Sequence, residues 1–131
     1  MRFIIKNRYT DNVICSEEAE KPRAVVEKHK LNLQQADLQK LDLWASDLSG
    51  ANLEGADLRG CSLRSSDLRQ ANLKKCDLRG TDLRKADLRD ADLTDVVLGW
   101  TLLGEANLTG IKTNKKEDIV KCLQIEDTSK T

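Results

Sequence analysis

At 131 residues the chain has room for one domain with a modest core. Aromatic residues make up only 3% of it and charged residues 34%, so leucine has to fill whatever centre it has. The formal charge sums to zero, but its distribution is uneven. Residues 31–58 hold one basic and five acidic side chains (net −4), residues 59–89 nine and four (net +5), and residues 90–110 none and four (net −4).

No apolar run approaches the ~20 residues that cross a bilayer. The opening Met1-Arg2-Phe3-Ile4-Ile5-Lys6 meets charge too early for a secretory leader, so a cytoplasmic protein is expected. Cys15, Cys61, Cys76 and Cys122 fit that compartment as reduced thiols. They include no CxxC pair to support zinc, and no metal or cofactor is expected.

In chain order, residues 2–16 place two apolar runs, Phe3-Ile4-Ile5 and Val13-Ile14-Cys15, on either side of Thr10-Asp11-Asn12. That pattern predicts a β-hairpin. Residues 22–30 predict a short helix, with Pro22 in its first turn and Ala24, Val25 and Val26 available for burial.

From Leu33 to Leu108 a leucine recurs at every fifth position without a gap, sixteen in all. Two residues before each stands a small or apolar one, such as Ala36, Ala56, Cys61, Ser66 or Thr81, and just before it usually Asp or Asn. Neither regular structure accounts for this period. On a helix, residues five apart are rotated by ~140°, and on a strand they alternate between faces. A chain that turns a corner every five residues keeps every leucine inside.

Runs such as Ala51-Asn52-Leu53-Glu54-Gly55-Ala56-Asp57-Leu58-Arg59-Gly60 resemble the A(D/N)LXX signature of the pentapeptide-repeat family. The likeness covers residues 31–110. It implies an all-β solenoid, a right-handed quadrilateral β-helix of about four coils, each coil twenty residues long. At ~4.8 Å per coil such a rod is about 19 Å tall before its ends are counted. The lead-in also resembles the N-terminal segment of some bacterial and phage members, so a bacterial source is expected.

Stacking every twentieth residue brings Asn32, Asn52 and Asn72 together as a candidate amide ladder. It also stacks Asp37, Asp57 and Asp77 beside Arg59 and Arg79, and Asp47, Asp67 and Asp87 beside Arg69 and Arg89. Most of the surface charge then reads as a self-compensating lattice.

Open solenoid ends need covers. Residues 1–30 read as an N-terminal cap and residues 111–131 as a capping helix and tail. Within the latter, Lys115–Gln124 predicts a helix started by Thr113 or Asn114, with Ile119, Val120 and Leu123 on one side. Val97 and Leu102 replace the usual Asp or Asn, and Trp100 follows at an outward position. These three are candidates for contact with the capping helix. The resemblance adds a second role for them, a homodimer interface at the C-terminal end.

The residues offer no catalytic constellation. His29 is the lone histidine, the carboxylates form outward columns instead of facing across a cleft, and a leucine-filled rod leaves no cavity for a substrate. Cys61 and Cys76 occupy inward positions on different faces, so no disulfide is expected.

One surface feature invites a partner. The residue after leucine is basic seven times running: Arg59, Arg64, Arg69, Lys74, Arg79, Arg84 and Arg89. This belt encircles the rod, is interleaved with aspartate and lacks aromatics for base stacking, which argues against nucleic acid. Trp44 stands in the column of Arg64 and Arg84, where it either anchors a protein interface, for which it is the candidate, or packs under the N-terminal cap. The reading is a non-catalytic interaction rod or scaffold for a protein partner or a second copy of itself. Some family members protect DNA gyrase from quinolones by mimicking DNA, a role that the neutral charge and positive middle of this chain do not suit.

Overall fold

The computed structural model describes residues 1–124. Its architecture follows from a single device repeated along the chain. In each unit the residue two after leucine takes a positive φ, from Gln35 at 58° to Gly110 at 75°. The amide of the next small residue then donates back to the leucine carbonyl, as Ala36 N to Leu33 O at 3.1 Å. That is the geometry of a type II turn, which requires φ > 0 at its third residue. Only Gly50, Gly55, Gly60, Gly80 and Gly110 are glycines among these corners, so the other corner residues hold a conformation costing roughly 1–2 kcal/mol each.

The ladder between coils offsets that strain. Leu53 N donates to Asn72 O at 2.9 Å and Asn72 N to Ala51 O at 2.8 Å, and the pattern recurs from Leu33 to Lys112. Parallel bridges join residues twenty apart, from Asp37 with Asp57 to Asp92 with Lys112. Each bridge is one residue long, and the corner residue adds one more bond between coils, as Gln35 N to Glu54 O at 2.8 Å.

Inside, the leucines from Leu33 to Leu93 are fully buried, and Leu98 and Leu108 partly so. Each contributes about 1.5–3 kcal/mol by burial. The small inward position does more than fill space. Cys61 Sγ–H donates to Leu38 O at 2.7 Å, Cys76 to Leu53 O at 2.8 Å, and Thr81 Oγ1 to Leu58 O at 2.7 Å. A thiol or hydroxyl there reaches a corner carbonyl one coil back, which alanine cannot do.

Strands β1 (Arg2–Lys6) and β2 (Val13–Glu18) form the expected hairpin, antiparallel, with Asp11 at φ 63° in the turn and an irregularity after Ile5. It joins the rod end-on: Asp37 N donates to Lys6 O and Arg8 N to Gln35 O, both at 2.8 Å. Arg8 then reaches inward, donating to Gly55 O at 3.2 Å and lying 3.7 Å from the buried carboxylate of Asp57.

Helix α1 (Pro22–Lys28) follows, then a single 3₁₀ turn at Lys30–Asn32. Val25 and Val26 are buried as expected, but Ala24 faces solvent. His29 Nε2–H donates to Glu17 Oε1 at 2.9 Å, and Glu17 also pairs with Lys28, tying α1 to β2.

Helix α2 (Lys116–Leu123) differs from expectation in detail. It buries Ile119 and Cys122, while Val120 and Leu123 are exposed. Buriable positions three apart, rather than the apolar set read from the sequence, set its inner stripe. Its N-cap is Lys115, without a side-chain cap bond. Thr113 Oγ1 instead accepts from Lys115 N at 3.0 Å, and Asn114 exchanges two hydrogen bonds with Asp95. Residues 125–131 of the predicted tail lie outside the described residues.

Candidate functional site

The Asp or Asn before each leucine is explained by one hydrogen bond. Its Oδ1 accepts the backbone amide two residues on, as Asp67 does from Arg69 at 3.1 Å and Asn72 from Lys74 at 3.1 Å. Asn52 does the same for Glu54 at 3.3 Å. This corrects the expected amide ladder: the asparagine oxygens turn along their own unit to fasten the corner.

In five units the same carboxylate also clamps the following arginine. Arg69 Nε donates to Asp67 Oδ1 at 2.9 Å and Nη2 to Oδ2 at 2.7 Å, and Arg59, Arg79, Arg84 and Arg89 repeat the fork on Asp57, Asp77, Asp82 and Asp87. Those arginine hydrogen bonds hold the carboxyls of Asp67, Asp82 and Asp87 below their ordinary range. At Asp57 and Asp77 burial pushes the other way and the arginine bonds prevail. Weaker contacts run up the rod, Arg59 to Asp77 at 3.7 Å and Arg69 to Asp87 at 3.9 Å. The basic belt is therefore largely a neutralised lattice.

Arg64 is the exception. Two residues before it stands Ser62, which has no charge to offer. Among the described residues Arg64 forms no ion pair or side-chain hydrogen bond, although its charge reaches Asp82. Directly before it in the column lies Trp44, 57% exposed, joined through Ala45 N to Arg64 O at 2.9 Å. The Trp44 backbone is held at both ends, its N–H donating to Asp42 Oδ1 at 3.2 Å and its carbonyl accepting from Arg23 Nη1 at 3.1 Å, while the indole stays exposed. An exposed indole beside an uncompensated guanidinium can receive an apolar group and an anion together. The gap in the Asp42, Ser62, Asp82 column is visible in the sequence once every twentieth residue is compared. The Arg23 tether is not.

The second candidate set is split. Val97 and Trp100 remain exposed, at 46% and 82%, while Leu102 is half-buried. Helix α2 packs toward Thr101, an inward residue that contacts Cys122, and leaves these two outward residues bare. The expected cover over them is not there among the described residues.

The thiols are sequestered from solvent. All four cysteines are free and buried, and burial pushes Cys61 and Cys76 up to about 12.

Comparison with known proteins gives one family. That described as pentapeptide repeats (8 copies) matches residues 30–64 and 61–99, more than half of the chain. Among solved structures, a trypsin-treated form of QnrB1, a plasmid-mediated fluoroquinolone resistance protein, superposes with a TM-score of 0.59 at 20% identity. The match covers 63% of this chain and 42% of QnrB1. A pentapeptide repeat protein from Nostoc PCC 7120 is 43% identical over 55% of this chain and 64% of its own, with a TM-score of 0.34. One from the Arabidopsis thaliana thylakoid lumen is 36% identical over 57% and 56%, with a TM-score of 0.36. The chain thus spans less than two thirds of each of these proteins. No curated protein matches it. With its repeat matched across residues 30–99 and its coils superposing on those of QnrB1, the chain belongs to the pentapeptide-repeat family.

Proposed function

We propose that this protein is a non-catalytic interaction rod of four coils, closed by the hairpin and α1 at one end and by α2 at the other, that binds a protein partner through its Trp44 face. The observation that carries this is the pairing of an exposed Trp44 with Arg64, whose own unit lacks the carboxylate that neutralises its neighbours. A partner that brings an acidic group against Arg64 and an apolar one against Trp44 completes what the lattice leaves open. The cytoplasm is the compartment that suits four free thiols.

The test is capture of partners by the purified protein and by a Trp44→Ala, Arg64→Ala variant, after a melting curve shows both folded. Loss of a specific partner with an unchanged melting point supports the reading. Equal capture by both forms removes this face.

A second surface supports self-association: Val97 and Trp100 present an uncovered apolar pair on the last coil. Sedimentation across a concentration series, with Trp100→Ser as control, decides it. The fold shared with QnrB1 makes gyrase an obvious further target, and the neutral charge argues against it. A supercoiling assay with and without a fluoroquinolone separates the two: inhibition or protection makes gyrase the partner, and no effect leaves the general rod.

A further inference from the structure

The first coil is sealed from below on three of its four sides, each time by a group standing in for the carbonyl of an absent coil. From Asp57 onward, the residue before leucine donates its N–H to a carbonyl twenty-one positions earlier, as Asp57 to Ala36 and Ser62 to Leu41. In the first coil Asp37 N finds Lys6 O at 2.8 Å, and Asn32 N finds His29 O at 2.9 Å. Asp47 N finds Glu27 Oε2 at 2.7 Å. Among the described residues, Asp42 N–H has no partner, and neither does Asp42 C=O. The ladder stops open on this side.

A recess leads to that opening. It has a volume of about 330 Å³ and lies between β1, α1 and the corner before Asp42, lined by Phe3, Ile4, Ile5, Pro22, Val25 and Leu41 among others. Asp37, Gln39 and Lys40 make the rest of its wall polar, and Leu41 carries it to the next residue, Asp42, the one backbone edge of the coil that asks for both a donor and an acceptor. That combination is what an extended chain supplies when it adds to a sheet edge: main-chain bonds for affinity and alternate side chains for pockets. Three of the four sides being sealed, one rung alone is open: an extended segment fills it, whereas the four-sided end of a second rod would meet three closed sides.

We infer that this recess takes an extended peptide segment of a partner protein, which adds one rung to the ladder at Asp42 and lodges an apolar side chain between β1 and α1. The rung lies in the unit of Trp44, whose N–H Asp42 Oδ1 accepts at 3.2 Å. Neither Trp44 nor Arg64 lines the recess, so a Trp44→Ala, Arg64→Ala variant that loses its partner and still takes peptide separates the two readings.

The experiment is selection of a random dodecapeptide library on the full chain tethered by its C-terminus, with depletion on Asp42→Pro. Proline removes an N–H that has no partner in the fold, together with the Oδ1 that accepts Trp44 N–H at 3.2 Å, so a melting curve first shows the variant folded. Enriched peptides are then added to isotope-labelled wild type and amide exchange is read residue by residue. The expected result is peptides with an apolar residue in an extended run, slowing exchange of the Asp42 amide about tenfold or more. N-methylation of the peptide amide that faces Asp42 C=O should weaken binding about tenfold, a control that leaves the protein unaltered. Failure to enrich any peptide over Asp42→Pro overturns the inference, as do peptides that protect other amides and leave Asp42 unchanged. A dimer abolished by Asp42→Pro would also overturn it, since a second copy would then own the edge.

Discussion

Arg64 follows Ser62 at the spacing where five other arginines of the rod follow an aspartate, and so it keeps a charge that they share away. Ser62→Asp should supply the missing fork. The melting point is expected to hold or rise by a few degrees, while binding of any partner that uses Arg64 weakens about tenfold or more. Titration of the captured partner against both forms checks this.

Acid should loosen the lattice. The carboxyls of Asp67, Asp82 and Asp87 are depressed in the folded chain by their arginine hydrogen bonds. A depressed carboxyl favours the folded state above its unfolded value of ~3.9, and that contribution is lost as the pH falls through the lower folded value. Melting points should therefore be level above about pH 5 and fall steeply below about pH 4. Calorimetry across that range is the measurement, and Asp67→Asn should flatten the acid limb.

The inward hydroxyl of Thr81 donates to Leu58 O at 2.7 Å in a fully buried position. Thr81→Val keeps the shape and removes the donor, and about 1 kcal/mol of stability should go with it. Thr81→Ser, which keeps the donor, should lose less. By contrast Leu68→Ala, in the middle of the stack, should cost about 3–5 kcal/mol by leaving a cavity that neighbouring coils cannot close. Urea denaturation resolves the three.

Thiol labelling gives a check on coil integrity. Cys61 and Cys76 are buried and pushed up to about 12, so a disulfide reagent at pH 8 should leave both unmodified in the native state. Reaction should appear only as the rod unfolds, and mass spectrometry of the digested protein locates it. Rapid native labelling at Cys76 would mean that the middle coils breathe.

How much of this could be read from the residues depends on where they lie. The period of Leu33 to Leu108 forces a corner every five residues, because no straight element keeps all of them inside. The pairing of Asp67 with Arg69 follows from register alone. The ends were less legible. Ala24 and Val120 are as apolar as their buried neighbours, yet both face solvent, since a short helix has one inner stripe and only the docked geometry selects it. The asparagines of the first side suggest a ladder because their stacking is periodic, but the nearer amide two residues on claims the oxygens of Asn52 and Asn72. Ser62 was plain in the sequence, though its meaning needed the fork seen in the other units. Arg23 and the open N–H of Asp42 had no sequence signal, being products of where α1 settles.

Because bridges join residues twenty apart and each unit covers one side, chain length acts here as an angular setting. Excising Ala71–Asp90 would lower Ala91 onto Gln70 with every rung conserved, giving a shorter rod that still faces the same way. Excising only Ala71–Lys75 would turn everything beyond it through a quarter circle. Trp44 and Trp100 could thus be brought to the same azimuth or set on opposite sides without changing either residue, so that insertions and deletions, more than substitutions, would re-aim what this protein presents.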